Sequence, residues 1–556
     1  MRILSATILL ALFLPMARAQ EGDPATAQLP KGTPISFRVA SFDRIDAIVK
    51  EWVPMLKAIG LGAQVAPLEQ MPASTFLFMV SGLNADIVDR TKPIYAGLTE
   101  QGEPIVVLHP AGGATWEGKK ELREGAFAIS RGGAVVVAEP DLLETEPRGT
   151  PTAFRVEGDA VLHVYLGDIV AEHKEEIEQW ATEATMAVAA QGDVPEQARA
   201  LILPIMTSLK GAVLSVESLD YGATWTGDRL ETEGFLAIQA GSGLRNLLKR
   251  AGEPGTVDLA AYLPKEAYMT MTACMNPDWP TKEMRELLQA AGGEEVAQAI
   301  MQLLSVGSAF EASRTGRSAM SMNINMMMSA NMLGLIELKP GSDGTALMAS
   351  FDADKVNAAL KKIGIPISYV LEKNVAKHGE ISLHRFGMTS EDPQMAMVFS
   401  SMQGYMAIHK DLCFMAMSPT AEDDLKALID KVGRGEKDAE NPHLAAMSRL
   451  GRGHNIGFTI NLGALKPMVM MLGMMGVPPE VMQVAQNVPD VFTLSTAVTF
   501  PDGNLRWCGD WPVKEAMKIA QAAMPAGGAE GAGESPPPPP DQPKPEDEEP
   551  EGEKFD

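Results

Sequence analysis

The chain has 556 residues, an apolar fraction of 46% and a formal net charge of −25. That is ample material for a packed core, while so acidic a surface repels phosphate backbones and anionic membranes, so nucleic acid is excluded as a partner. Three cysteines, Cys274, Cys413 and Cys508, are too few for a disulfide framework, and their odd count leaves at least one unpaired within the chain.

Residues 1–19 read as a secretory signal peptide. Arg2 is the positive start, 3–14 is the apolar run, and Ala17-Arg18-Ala19 is a small-residue cleavage site. The expectation is an exported protein, periplasmic or extracellular, cut near Ala19/Gln20. Residues 20–28 then read as a linker. No later stretch reaches eighteen uninterrupted apolar residues, so no transmembrane helix is expected.

A first module, 29–262, opens on Leu29-Pro30-Lys31 and the alternation Ile35, Phe37, Val39. Ile45, Ile48, Val49, Trp52, Leu56 and Ile59 then recur with helical spacing up to Gly60, with Pro54 predicted to kink or split that helix. Strand runs follow at 76–80 and 105–109, and a strand pair at 125–138. An alternating strand at 162–169 leads through Gly167 into a charged helix whose apolar stripe is Ile169, Ile177, Trp180 and Ala184. A hairpin around Leu230 and Gly234, then a helix at 243–251, end the module.

A second module, 263–524, repeats these signals in the same order. Leu263-Pro264-Lys265 precedes Met269, Met271 and Ala273, and a helix carries Met284, Leu287 and Leu288. The pair 404–417 aligns with 125–138 without a gap, through Gly125/Gly404, Ala128/Ala407, Ile129/Ile408 and Pro140/Pro419. The strand at 458–465 matches 162–169. A hairpin turning at Pro501-Asp502-Gly503 precedes the helix 513–523, as its counterpart does in the first module. The second module is longer; its extra residues fall within 292–403, with strand alternation from Met320 to Met328, a strand at 333–338 and a helix at 354–363. The fold expected is α+β: two tandem related modules of antiparallel meander sheets covered by amphipathic helices. Residues 525–556, with ten acidic and two basic residues and a proline run, read as a disordered tail.

The Leu-Pro-Lys openings and the strand-pair echo resemble those of uncharacterised exported bacterial proteins with duplicated Leu-Pro-started modules, a domain-of-unknown-function type. The resemblance spans most of 29–524. It implies export and duplication, and no site residues.

Spacings that carry chemistry are missing from the sequence. It contains no G-x-S-x-G, S-x-x-K, H-E-x-x-H, EF-hand or P-loop pattern. The glycine-rich 451–457 precedes a strand, the wrong context for a dinucleotide turn. His378 with His384, and His443 with His454, lack metal-ligand spacing. No catalytic, cofactor-binding or metal residue is nominated, and no cofactor. Methionine is the compositional outlier, at 35 residues, with six in 320–332 and six in 468–482. The helix at 464–475 has no charge between Lys466 and Glu480, so Met468, Met471, Met474 and Met475 are expected to be buried, by the first module or by an apolar ligand or protein partner. The function expected is an exported, non-enzymatic binding or structural protein of the cell envelope. The alternatives are a carrier of an apolar ligand or lipid through the Met-rich part of the second module, and a hydrolase whose site is assembled from non-local residues.

Overall fold

The computed structural model describes residues 23–523, apart from 58–61, 63–64, 67, 69–70, 73, 76–82, 84–86, 114, 116, 123–124, 191–205, 280–298, 300–307, 325–329, 363–364, 392, 394–395, 397–398, 400–402, 439, 452 and 475–478. The expected signal peptide, the tail, the strand at 76–80, the helix around Met284 and residues Met326 to Met328 lie outside the described residues.

In the first half the strands are β1 (Ile35–Val39), β2 (Ile94–Leu98), β3 (Pro104–Leu108), β4 (Lys120–Glu121), β5 (Phe127–Arg131), β6 (Ala134–Ala138), β7 (Ala160–Val164), β8 (Val216–Trp225) and β9 (Leu230–Ile238). Its helices are α1 (Phe42–Leu56), α2 (Pro140–Glu144), α3 (Leu166–Glu172), α4 (Lys174–Ala190) and α5 (Gly243–Lys249). The second half has β10 (Met269–Cys274), β11 (Arg314–Ile324), β12 (Ala330–Leu338), β13 (Ile367–His378), β14 (Ile381–Ser390), β15 (Gly404–His409), β16 (Leu412–Met417), β17 (Ile456–Asn461), β18 (Thr493–Thr499) and β19 (Leu505–Trp511). Its helices are α6 (Ser308–Ser313), α7 (Gly344–Ser350), α8 (Ala353–Lys362), α9 (Ala421–Gly433), α10 (Pro442–Arg449), α11 (Lys466–Met474), α12 (Pro479–Asn487) and α13 (Val513–Ala523).

All the pairings between these strands are antiparallel, so the mixed α+β reading holds, but the strands form one sheet rather than two. From one edge the order is β4-β5-β6-β3-β2-β1-β7-β8-β9. It continues through β19-β18-β17-β10-β11-β12-β16-β15-β14-β13. Each half therefore runs its hairpin pair beside its third strand, then its second and first strands, then three more up to the centre.

One sheet face carries Ile35, Phe37 and Val39. There Val39, Ile94, Leu108, Val135 and Val137 close against Phe42, Ile45, Val49 and Val53 of α1. Ser41 starts that helix, its Oγ accepting the Arg44 amide at 3.3 Å. Pro54 does not split it: the proline falls in the last turn, two residues before the helix ends. The other face carries Tyr95, Ile105, Val107 and Val136 in the first half, and Leu335, Ala407 and Phe414 under Leu425, Leu428 and Ile429 of α9 in the second.

Three further expectations need correction. Residues 24–28 are no linker: they form a 3₁₀ turn whose Ala25, Thr26 and Ala27 are buried. Asp23 caps it and gathers the Ala25 amide at 2.9 Å, the Tyr95 hydroxyl at 2.8 Å and His109 Nε2 at 3.1 Å. The gapless match of 125–138 with 404–417 is one residue out. Gly132-Gly133 and Lys410-Asp411 are the two-residue turns of the respective hairpins, so Ile129, not Ala128, takes the place of Ala407. In fact Ala128 belongs to the α1 cluster and Ala407 to the α9 cluster, on opposite faces. In α4, Trp180 is 57% exposed; Ala181 is buried instead.

The halves meet at β9 and β19, where Arg506 pairs with Glu233 and Arg229 with the buried Asp510. Arg449 Nε reaches the other oxygen of Asp510 at 2.8 Å. The terminal helices cross the seam in both directions. Arg245 of α5 donates to the Asp502 carbonyl at 3.0 Å, and Lys514 of α13 donates to Asp228 at 2.6 Å. Leu248 of α5 packs with Phe500, while Met517 of α13 packs onto the α1 cluster.

Candidate functional site

A concave site lies where the second half exceeds the first. A cleft of about 540 Å³ is lined by Arg385 of β14, Gln403 and Tyr405 at the start of β15, Ser418 to Thr420, and Ala421 to Asp423 opening α9. Strand register lines up its working residues. Glu372 of β13 faces Arg385, and Arg385 faces Tyr405. Arg385 Nη2 donates to Glu372 at 2.5 Å, which holds the guanidinium pKa above its usual value. The Tyr405 phenol is pushed up by burial and by its hydrogen bond to Glu422. Glu422 in turn accepts from Lys426 at 2.7 Å, which holds its carboxyl below the usual range. Asp424 accepts from Ser418 Oγ at 2.5 Å and Thr420 Oγ1 at 2.9 Å, which fixes the chain entering the helix. The cleft thus shows two paired charges, Arg385 and Glu422, and one exposed carboxylate without an ion pair among the described residues, Asp423, around an aromatic ring.

A second cluster is sealed. Ser36, His163 and Asp220 lie side by side across β1, β7 and β8. His163 Nδ1 donates to Asp220 at 2.7 Å, while His163 Nε2, Asp220 Oδ2 and Ser36 Oγ find no hydrogen-bond partner. These are the residue types of a nucleophile, a base and its orienting acid. All three are buried, Ser36 and Asp220 at 0% exposure, and the Phe154 and Tyr165 rings pack on the imidazole. In the second half the same lateral row on β10, β17 and β18 is Thr270, Thr459 and Ser495, also buried. Nothing in local sequence could assemble either row, since its members are separated by more than a hundred residues at β1–β7 and at β10–β17.

The methionines gather differently from expectation. Met269, Met322, Met332 and Met417 face one another across β10, β11, β12 and β16. One step along, Met271, Met320, Gly334, Met415 and Met406 do the same through β15. Apart from buried Met406, these thioethers are half-buried. His384 faces Met406, but its Nδ1 accepts the Asn374 amide at 3.1 Å. The ring proton then sits on Nε2, so no imidazole lone pair is left for a metal. Among the described residues no group of three His, Cys, Asp or Glu is placed to hold one. Met468 and Met471 of α11 are half-buried rather than buried, and Met470 is 38% exposed. The side chain of Met474 and all of Met475 lie outside the described residues. Among the described residues α11 packs chiefly on α12, which packs on α13. The three cysteines are free thiols, and burial pushes that of Cys413 up to about 12.

No helix among the described residues is long and apolar enough to cross a membrane. No family model matches the chain, and neither a curated protein nor a solved structure does.

Proposed function

We propose that the chain is an exported, non-enzymatic binding or structural protein of the cell envelope, built from two related modules fused edge to edge. One observation carries the non-enzymatic reading. The chain's Ser–His–Asp row is sealed inside the sheet, and the corresponding row of the other half keeps the polarity but not the chemistry. The polar row recurs in both halves, and in both the hydroxyl on the first strand, Ser36 or Thr270, lies buried without a hydrogen-bond partner. Catalysis would need Ser36 to be reachable and would not leave threonine where His163 stands. Export rests on residues 1–19 as read above.

The duplication has independent support in register. The sequence match of 230 with 505 sets an offset of 275, which pairs residue 233 with 508. Glu233 and Cys508 are direct partners in the β9–β19 ladder. Sequence equivalents therefore meet at a pseudo-twofold, and the reciprocal contacts of α5 and α13 obey it.

The competing hydrolase is tested by treating the full-length mature protein with a fluorophosphonate probe. No labelling of Ser36 by intact mass is expected. Labelling that disappears in Ser36→Ala would replace the binding reading with the hydrolase. The methionine rows favour a second reading, a carrier of an apolar ligand, because flexible thioethers adapt to irregular apolar shapes.

A further inference from the structure

We propose that the cleft between β14, β15 and α9 binds a neutral, hydroxyl-rich ligand, a saccharide. The proposal rests on the binding-protein reading and names the ligand class of its site. The volume, about 540 Å³, lies in the range of small-ligand sites. Charge decides the class. Arg385 is held by Glu372, Glu422 by Lys426 and the Tyr405 hydroxyl, and Asp424 by Ser418 and Thr420. An anion entering the cleft would have to take Arg385 from Glu372 and would sit beside Glu422 and Asp423. Displacing Glu372 gives up a charge-assisted bond already made. A cation would find one uncommitted carboxylate, the exposed Asp423, with Arg385 in the same cleft and the Lys426 ammonium one helical turn away.

A hydroxyl-bearing ligand breaks no pair. Carboxylate oxygens retain lone pairs, the guanidinium and the Gln403 amide retain N–H groups, and each can add a bond to a sugar hydroxyl. Tyr405 supplies an amphipathic ring whose face suits the C–H side of a pyranose. The position gives independent weight. β13 and the length of β14 belong to the stretch by which the second half exceeds the first. At the corresponding place the first half has only the two-residue β4 and the five-residue α2. The inserted strands thus add the Glu372–Arg385 wall, which the core of the module does not need.

The test is a titration of the full-length mature protein with maltotetraose and with the N-acetylglucosamine tetramer, followed by NMR or calorimetry. Saturable binding of at least one is expected, unchanged by added salt. Arg385→Gln, at a half-buried position, and Tyr405→Ala should each weaken it about ten-fold or more, with thermal melts confirming that the variants fold. Tyr405→Phe keeps the ring and should retain most of the affinity. Inorganic phosphate and spermidine should not compete. No binding of either tetramer by the folded protein, binding indifferent to both weakening variants, or a site filled by phosphate or spermidine would overturn the proposal. Each of these outcomes leaves the fluorophosphonate result on Ser36 untouched, so failure of the ligand class and failure of the non-enzymatic reading are separable.

Discussion

Asp159 shows how a single carboxyl can set the pH response of this molecule. It stands just before β7, fully buried, with Oδ2 accepting the Trp225 amide at 2.8 Å and Oδ1 unpartnered. Arg44 of α1 is 3.8 Å away, its Nη2 committed to the Trp225 carbonyl at 3.0 Å. Trp225 in turn donates from its indole to Glu51 and packs on Trp52, so α1 is tied to the end of β8 through this spot. Burial outweighs the Trp225 amide and Arg44 and raises the Asp159 pKa to about 7. A raised acid binds its proton in the fold at pH values where the unfolded chain has released it. Its penalty is therefore absent below about pH 4, grows as pH rises towards 7, and is complete above. Asp159→Asn should remove most of that slope. Urea melts at pH 5 and pH 8 should show the variant gaining on wild type at pH 8, on the order of 3 kcal/mol at most. Equal differences at both pH values would show that Asp159 does not titrate in this window.

The elements were legible where a segment declares its own period, and obscure where partners decide. Ser41 followed by Ile45, Ile48 and Val49 reads as α1, and Asp354 onward reads as α8, because cap and stripe lie within one stretch. The segments 125–138 and 404–417 both form hairpins with two-residue turns, but the gapless match between them is one residue out, since identities such as Ala128/Ala407 are blind to which face a side chain takes. The turns fix that register, and Gly132-Gly133 aligns poorly with Lys410-Asp411 by identity. Lys410 takes φ 53° there, which a glycine pattern would not have pointed to. Methionine content was visible, but its grouping was not. The uncharged α11 drew attention, whereas the rows on β10, β11, β12, β16 and β15 come from strands far apart in the chain. Those rows supply the element-scale prediction. If they hold an apolar chain in the cell, native mass spectrometry of protein purified without detergent should show added mass that organic extraction removes. Bare protein mass would reduce the rows to ordinary half-buried packing. As an internal control, Met322→Gln should cost far less than Leu335→Ala, which truncates a fully buried side chain and should cost about 2–5 kcal/mol in a denaturant melt.

At the scale of the molecule, the β9–β19 seam joins the two halves of one sheet. β9 has β8 on one side and β19 on the other, so removing the second half exposes the backbone edge that Leu230 to Leu236 present to β19. It also takes away Met517 from the α1 cluster, Lys514 from Asp228 and Asp510 from Arg229. On the proposed pseudo-twofold, a second β9 would take the place of β19 at the missing edge. The residue at that axis opposes it. In a β9–β9 pair Glu233 would face a second Glu233, and the carboxylate now paired with Arg506 would meet its like. Neither the isolated half nor its dimer is then a good solution. A chain of residues 20–262 should be aggregated or largely unfolded by circular dichroism and size-exclusion chromatography, while the full chain unfolds in one cooperative transition. Glu233→Gln in the short chain removes the like-charge clash, and any soluble material it gives should be dimeric. A soluble monomer of 20–262 with a cooperative melt of its own would show that the seam joins two finished domains and that each half folds without the other.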